Sequence, residues 1–221
     1  TLSPFSVAFF ATNPAPIITD GLEVLVHEVI AAMTTSPSVI PNPFPFIETE
    51  DQLKAIEDIK SDFLKLVPAD RLIVGDVAYG KSEIIIRAIY LIAKSSLQSL
   101  LLVPTTLLAR QHFYNFVERF ESFGIKIKQL SRLVSISERK ETINELKSGK
   151  INCVVGTHAL LSENIEFKNL GLIVVDEEQH FGVKAKEKLK NLSSNAHIIT
   201  LSATPIPRTL QLSLSGIREL S

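Results

Sequence analysis

Two short stretches carry side chains whose types and spacing could do chemistry together. The first is LIVGDVAYGKSE, residues 72–83. Gly75 and Gly80 bracket four residues, and Lys81-Ser82 follows at once, which fits the P-loop pattern. Glycine lets backbone N–H groups turn inward around phosphate oxygens, and a helix starting at Lys81 adds its dipole. In that chemistry Gly75, Asp76, Val77, Ala78, Tyr79 and Gly80 form the cradle. Lys81 reaches the outer phosphates and Ser82 ligates Mg2+. The second stretch is Asp176-Glu177, which ends the apolar run LGLIVV. A carboxylate at the tip of a neighbouring parallel strand serves the same cation, and the next one can polarise an attacking water. Each stretch has a bland alternative: a strand–helix turn ending in a chance GKS, or two acids capping a helix N-terminus. The pairing of the two stretches favours nucleotide chemistry.

The elements that must position these residues are legible as alternation. Residues 51–67 put Leu53, Ile56, Ile59, Phe63 and Leu66 on one helical face. Strands are predicted at 71–75, 100–103, 125–130, 151–155, 170–175 and 197–201. Helices are predicted between them at 81–94, 107–121, 137–148 and 183–192. Strands alternating with helices predict an α/β fold with a mainly parallel sheet covered on both faces. Ligands in such sheets bind at the carboxyl ends of the strands, where both chemical stretches fall.

Composition divides the chain near residue 44. Residues 1–43 hold no Lys or Arg, and their charges are Asp20, Glu23 and Glu28. Seven of the eleven prolines lie at or before Pro45. This part reads as an N-terminal extension or linker with one short helix at 21–33, and residues 44–221 as one nucleotide-binding domain. The net charge is −1, so any nucleic-acid contact must be a local patch. Cys153 is the only cysteine, which excludes an intrachain disulfide and fits a reducing compartment. No apolar run approaches the ~18 residues of a membrane helix. The N-terminus carries no basic segment of the kind that opens a signal peptide. The expectation is a cytoplasmic protein without membrane contact.

Five segments then carry a family resemblance: FPFIETEDQ (44–52), LVPTTLLARQH (102–112), VGTHALL (155–161), VVDEEQHFGV (174–183) and LSATPIPRTL (201–210). In this order and spacing they resemble the first RecA-like domain of superfamily 2 DNA translocases. VPTTLLA, Ser131-Arg132 and the doubled glutamate of DEEQ are more similar to the transcription-repair coupling group than to the fork-reversal helicases. The resemblance implies ATP and Mg2+ as cofactors and ATP hydrolysis driving movement along double-stranded DNA. It also implies a role in transcription-coupled repair that displaces stalled RNA polymerase. The polymerase and the excision-repair proteins would be engaged by other domains.

Residue by residue, the resemblance gives Gln52 the reading of adenine, with Phe44 near the base. Lys81, Asp176 and Glu177 keep the roles derived above, and Gln179 couples the nucleotide to the DNA side. Ser202 and Thr204 of the SAT segment share that coupling. Thr105, Thr106, Ser131, Arg132, Thr157 and His158 match segments that grip one DNA strand through its phosphates. Plainer uses compete for several of these. Thr49-x-x-Gln52 fits a helix capping box. Thr105 or Thr106 suits a helix N-cap, and Ser202 and Thr204 suit backbone satisfaction before Pro205. His158 fits an ordinary loop histidine, and the run KAKEKLK (184–190) fits a solvated helix face.

The chain departs from the family pattern at two places. Ala78 stands where the family usually has glycine, and His180 where it usually has arginine. The family's second RecA-like domain, with its arginine fingers, has no counterpart in these residues. Such arginines contribute ~10³–10⁵ in rate in related enzymes. The expectation is therefore weak nucleotide binding and very slow turnover by these residues alone. Two further readings stay open: a fork-reversal helicase, and a nucleotide- or DNA-binding module without turnover.

Overall fold

The computed structural model describes residues 5–9 through their backbone, and residues 48–65, 67–76 and 79–203. The expected helix at 21–33 and site residues Phe44, Val77, Ala78 and Thr204 lie outside these described residues.

The elements run β1 (Phe5–Phe9), α1 (Glu50–Phe63), β2 (Asp70–Gly75), α2 (Lys81–Lys94), β3 (Gln98–Leu102) and α3 (Thr106–Phe120). They continue with β4 (Ile127–Leu130), α4 (Ile136–Ser148), β5 (Cys153–Gly156), β6 (Leu170–Asp176), α5 (Val183–Leu192) and β7 (His197–Ser202). Each strand and helix predicted from residue 44 onward is present, with its ends moved by a few residues. The helices start where local chemistry starts them. Thr49 and Gln52 close a capping box on α1, and Ser135 and Glu138 close one on α4. Thr105 caps α3 by accepting from the Leu108 N–H at 3.2 Å.

One seven-stranded sheet results, in the order β1-β2-β7-β6-β3-β5-β4. Strands β2 to β7 are parallel to one another. β1 is added antiparallel at the edge, Phe5 opposite Gly75 and Phe9 opposite Arg71. The sequence reading assigns no strand to that N-terminal segment. The central strands are mostly apolar because both sheet faces are covered, with Gln98, Ser99, His197 and Thr200 as buried polar exceptions. Leu101, Val103, Leu172 and Val174 pack on one face with Ile56, Ile59 and Phe63 of α1, the isoleucines of α2, and Phe116 and Phe120 of α3. Leu100, Leu102, Ile173 and Val175 pack on the other with Leu146 of α4, Leu189 of α5 and Phe181. Among the described residues no helix is long and apolar enough to cross a membrane.

Candidate nucleotide and nucleic-acid site

The sheet order sorts the chemical segments into two contiguous groups. At the carboxyl ends of β2, β7 and β6 lie the P-loop, Ser202 and Asp176-Glu177. At the ends of β3, β5 and β4 lie Thr105-Thr106, Thr157-His158 and Ser131-Arg132. In the first group, Asp176 is level with Leu201 of β7, and Leu201 is level with Ile73 of β2. With neighbouring strands about 4.8 Å apart, Asp176 stands roughly 10 Å across the sheet from the strand that feeds the P-loop.

The P-loop is closed on its own lysine. The Lys81 ammonium donates to the carbonyls of Gly75 at 2.5 Å and Asp76 at 2.8 Å. Gly80 caps α2 at φ 75°, in the left-handed region. A Cβ there would come within 2.4 Å of Gln52 Nε2, so glycine serves both the turn and a close approach. The Gln52 amide makes the capping-box bond and a second one to the P-loop. Its Oε1 accepts from the Thr49 N–H at 2.9 Å, completing the capping box, while its Nε2 donates to the Tyr79 carbonyl at 3.0 Å. Ser82 is half-buried in the first turn of α2.

Asp176 is half-buried at the end of β6, and Glu177 follows with φ 55° and ψ 51°. A left-handed glutamate is unfavourable by about 1–2 kcal/mol, and such outliers collect at functional sites. The conformation is held by the Glu177 N–H, which donates to the Leu201 carbonyl at 3.1 Å. The Glu177 carboxylate accepts from the Gln179 amide, and His180 Nε2 stands 4.0 Å away. His180 thus occupies a position beside the candidate catalytic carboxylate. Gln179 and His180 are exposed, and Ser202 is half-buried.

In the second group, Thr105 is exposed, Thr106 is half-buried, and Arg132 and His158 are exposed and meet at 3.4 Å. Ser131 and Thr157 are buried beneath them. The Ser131 hydroxyl oxygen accepts from the Gln129 amide at 3.1 Å and the Leu133 N–H at 3.3 Å. The Thr157 hydroxyl is buried with no hydrogen-bond partner among the described residues. The exposed Arg132–His158 pair is thus carried on a buried hydroxyl layer. Gly156 lets β4 and β5 come together there, because a Cβ would lie 2.1 Å from the Leu130 carbonyl oxygen.

Two features escaped the sequence reading. Arg87, 1% exposed in the apolar run of α2, pairs with Glu48 and Glu83, and Arg119 of α3 also pairs with Glu83. This ion cluster ties the segment before α1 to the P-loop helix and to α3. Burial works against the Glu48 carboxylate, but its own N–H and Arg87 outweigh it and hold its pKa below the usual value. The other feature is His112 of α3, whose Nε2 lies 3.4 Å from Asp176 Oδ2. A charged residue inside an apolar helix and a histidine at helical spacing were the available signals.

The residues present suit a nucleotide with Mg2+. Among the described residues no three His, Cys, Asp or Glu side chains form a metal site of their own. Mg2+ held partly by phosphates needs only one or two carboxylates beside them. Asp176 and the Ser82 hydroxyl are oxygen donors of that kind.

A mainly parallel sheet with a P-loop at one strand end and Asp-Glu two strands away defines a RecA-like P-loop domain. Residues 49–213 match the DEAD/DEAH box helicase family, to which this chain belongs. It is similar to the transcription-repair-coupling factor of Rickettsia conorii, 56% identical over 182 residues, covering 80% of this chain and 16% of that protein. The same factor from Bacillus subtilis is 51% identical over 178 residues, covering 80% and 15%. That from Mycobacterium tuberculosis is 50% identical over 182 residues, covering 82% and 15%. A solved structure of RecG bound to a three-way DNA junction matches with a TM-score of 0.69 at 33% identity, covering 92% of this chain and 25% of that one. The likeness read from VPTTLLA, Ser131-Arg132 and DEEQ is thus borne out. The chain spans 15–16% of the length of these curated relatives.

Proposed function

We propose that this chain is the first RecA-like ATPase domain of a double-stranded DNA translocase acting in transcription-coupled repair, where it drives displacement of stalled RNA polymerase. The observation that carries this reading is the order of strand ends. Nucleotide chemistry falls on β2, β7 and β6, and phosphate-gripping chemistry on β3, β5 and β4. Such a sheet can hold ATP at one side and track a DNA backbone at the other.

In this reading Lys81 exchanges the carbonyls of Gly75 and Asp76 for phosphate oxygens, and the backbone from Gly75 through Asp76, Val77, Ala78, Tyr79 and Gly80 wraps the phosphates. Gln52 reads the adenine edge, with Phe44 near the base. Ser82 and Asp176 hold Mg2+, which when bound neutralises charge on the phosphates. Glu177 orients the attacking water and accepts its proton. Gln179, Ser202 and Thr204 pass the state of the nucleotide to the DNA side. Arg132, His158, Thr105 and Thr106 contact the DNA backbone, and Ser131 and Thr157 support them from below. In this reading contacts with polymerase and repair proteins are made by other domains.

A second reading, a binding module without turnover, is favoured by one observation: Lys81 and Glu177 are both engaged by the chain's own groups. The shared premise is tested by titrating the 221-residue chain and its Lys81→Ala variant with a fluorescent ADP analogue and Mg2+. At least a tenfold loss of affinity is expected in the variant. Equal binding by both proteins would sink the P-loop assignment.

A further inference from the structure

We propose that His112 is a positioning residue for Asp176: from α3 its imidazole orients the carboxylate assigned to Mg2+. This inference rests on the nucleotide-site reading above.

The seam between the two groups of strand ends runs between β6 and β3. His112 crosses it, reaching from the helix after β3 to the end of β6. It sits seven residues after Thr105, the N-cap of the helix that follows β3. Seven residues is two helical turns, which returns to the same helix face. On that face, one turn further on, is Phe116, fully buried. The His112 ring meets the Phe116 ring at 5.7 Å and 62°, edge to face. Core packing therefore holds the imidazole from one side. Its Nε2 points to the end of β6, 3.4 Å from Asp176 Oδ2. Both side chains are largely withdrawn from water, at 12% and 14% exposure.

The approach is longer than a good hydrogen bond and suits a contact that tightens once the site is loaded. A carboxylate that ligates a metal through one oxygen is commonly held through the other by an outer donor. Losing such a donor typically lowers metal affinity about 10–100-fold. His112 has that donor chemistry, and its anchor lies in the hydrophobic core rather than in the P-loop. Asp176 is thereby tied to the helix that begins at the proposed DNA-contact segment.

The test compares the 221-residue chain with His112→Ala and His112→Gln. A fluorescent ADP analogue is titrated into each in EDTA and in Mg2+, and the quantity read is the gain in affinity that Mg2+ confers. In His112→Ala this gain is expected to fall about tenfold with affinity in EDTA unchanged. His112→Gln places an N–H donor at similar reach and is expected to restore the gain to within about threefold of wild type. A merely structural role would lower melting temperature and EDTA binding together, without a Mg2+-specific loss, and that overturns the proposal. An unchanged Mg2+ gain in His112→Ala overturns it as well. A wild-type chain that binds no ADP in either buffer overturns the nucleotide-site reading, a separate failure.

Discussion

His197 makes the stability of this domain depend on pH in a way that can be worked out from its surroundings. It opens β7, is 1% exposed, and rests against the Phe63 ring at 4.9 Å. Its Nδ1 accepts from the Ala69 N–H at 3.1 Å, which leaves the proton of the neutral ring on Nε2. Nε2 is buried with no hydrogen-bond partner among the described residues. Burial pushes the pKa down to about 4, while the Asp62 charge pulls upward and Lys65 pushes downward. A histidine with a lowered pKa binds fewer protons in the folded state than in the unfolded chain. Its stabilising contribution is therefore whole above the unfolded value of about 6.5 and is lost as pH falls toward 4. Between pH 7.5 and pH 5 the loss is about 2 kcal/mol, and well below pH 4 it reaches about 3 kcal/mol.

The assay is urea unfolding at pH 7.5 and pH 5.0 for the wild-type chain and His197→Asn. The asparagine Oδ1 can accept from the Ala69 N–H but does not titrate. All other titrating groups are common to both proteins, so the difference in pH sensitivity isolates the imidazole. Wild type is expected to lose about 2 kcal/mol more than the variant over this interval. Equal losses in the two proteins would refute the assignment of a buried neutral imidazole.

Two other sites give sharp expectations. Gly156→Ala drives a Cβ against the Leu130 carbonyl oxygen, which is backbone and cannot swing aside. It is expected to cost about 2–4 kcal/mol in urea unfolding. Gly124→Ala meets nothing within 4 Å and costs only the left-handed strain at φ 66°, about 1 kcal/mol. Arg87→Ala removes the buried guanidinium, leaving partly exposed Glu48 without that partner and Glu83 with Arg119, and is expected to cost about 2–3 kcal/mol in the same measurement. Glu48→Gln keeps a hydrogen-bonding group at a partly exposed site and is expected to cost about 1 kcal/mol.

The legible and illegible parts of the molecule differ in the range of the interactions that create them. The predicted strand at 197–201 and helix at 81–94 needed only local patterns: an apolar run too short for a helix, and a helix opened by Gly80. Thr105 as a cap and Thr49 with Gln52 as a capping box were visible because their partners lie three residues away. β1 was not visible, since FSVAF gains its pairing from β2, more than sixty residues later. Arg87 reads as one more position of an apolar helix because, of its partners, Glu83 lies one turn away but Glu48 lies 39 residues away. His112 gives no sign of its partner in the sequence for a similar reason, since Asp176 lies on a different strand end.

The chain's chemical vocabulary is therefore local and linear: GDVAYGKS, DEEQ and the apolar alternation declare a P-loop domain before any contact is known. Sheet order is not linear. Placing β7 between β2 and β6, and β3 beside β6, brings the P-loop, Ser202 and Asp176-Glu177 to one half of the sheet and Thr105-Thr106, Thr157-His158 and Ser131-Arg132 to the other. It also buries Ser131 and Thr157 while leaving Arg132 and His158 outside. The physical reason is that hydrophobic periodicity specifies which face of each element is buried. Which strands become neighbours is settled by packing and pairing between residues far apart in the chain.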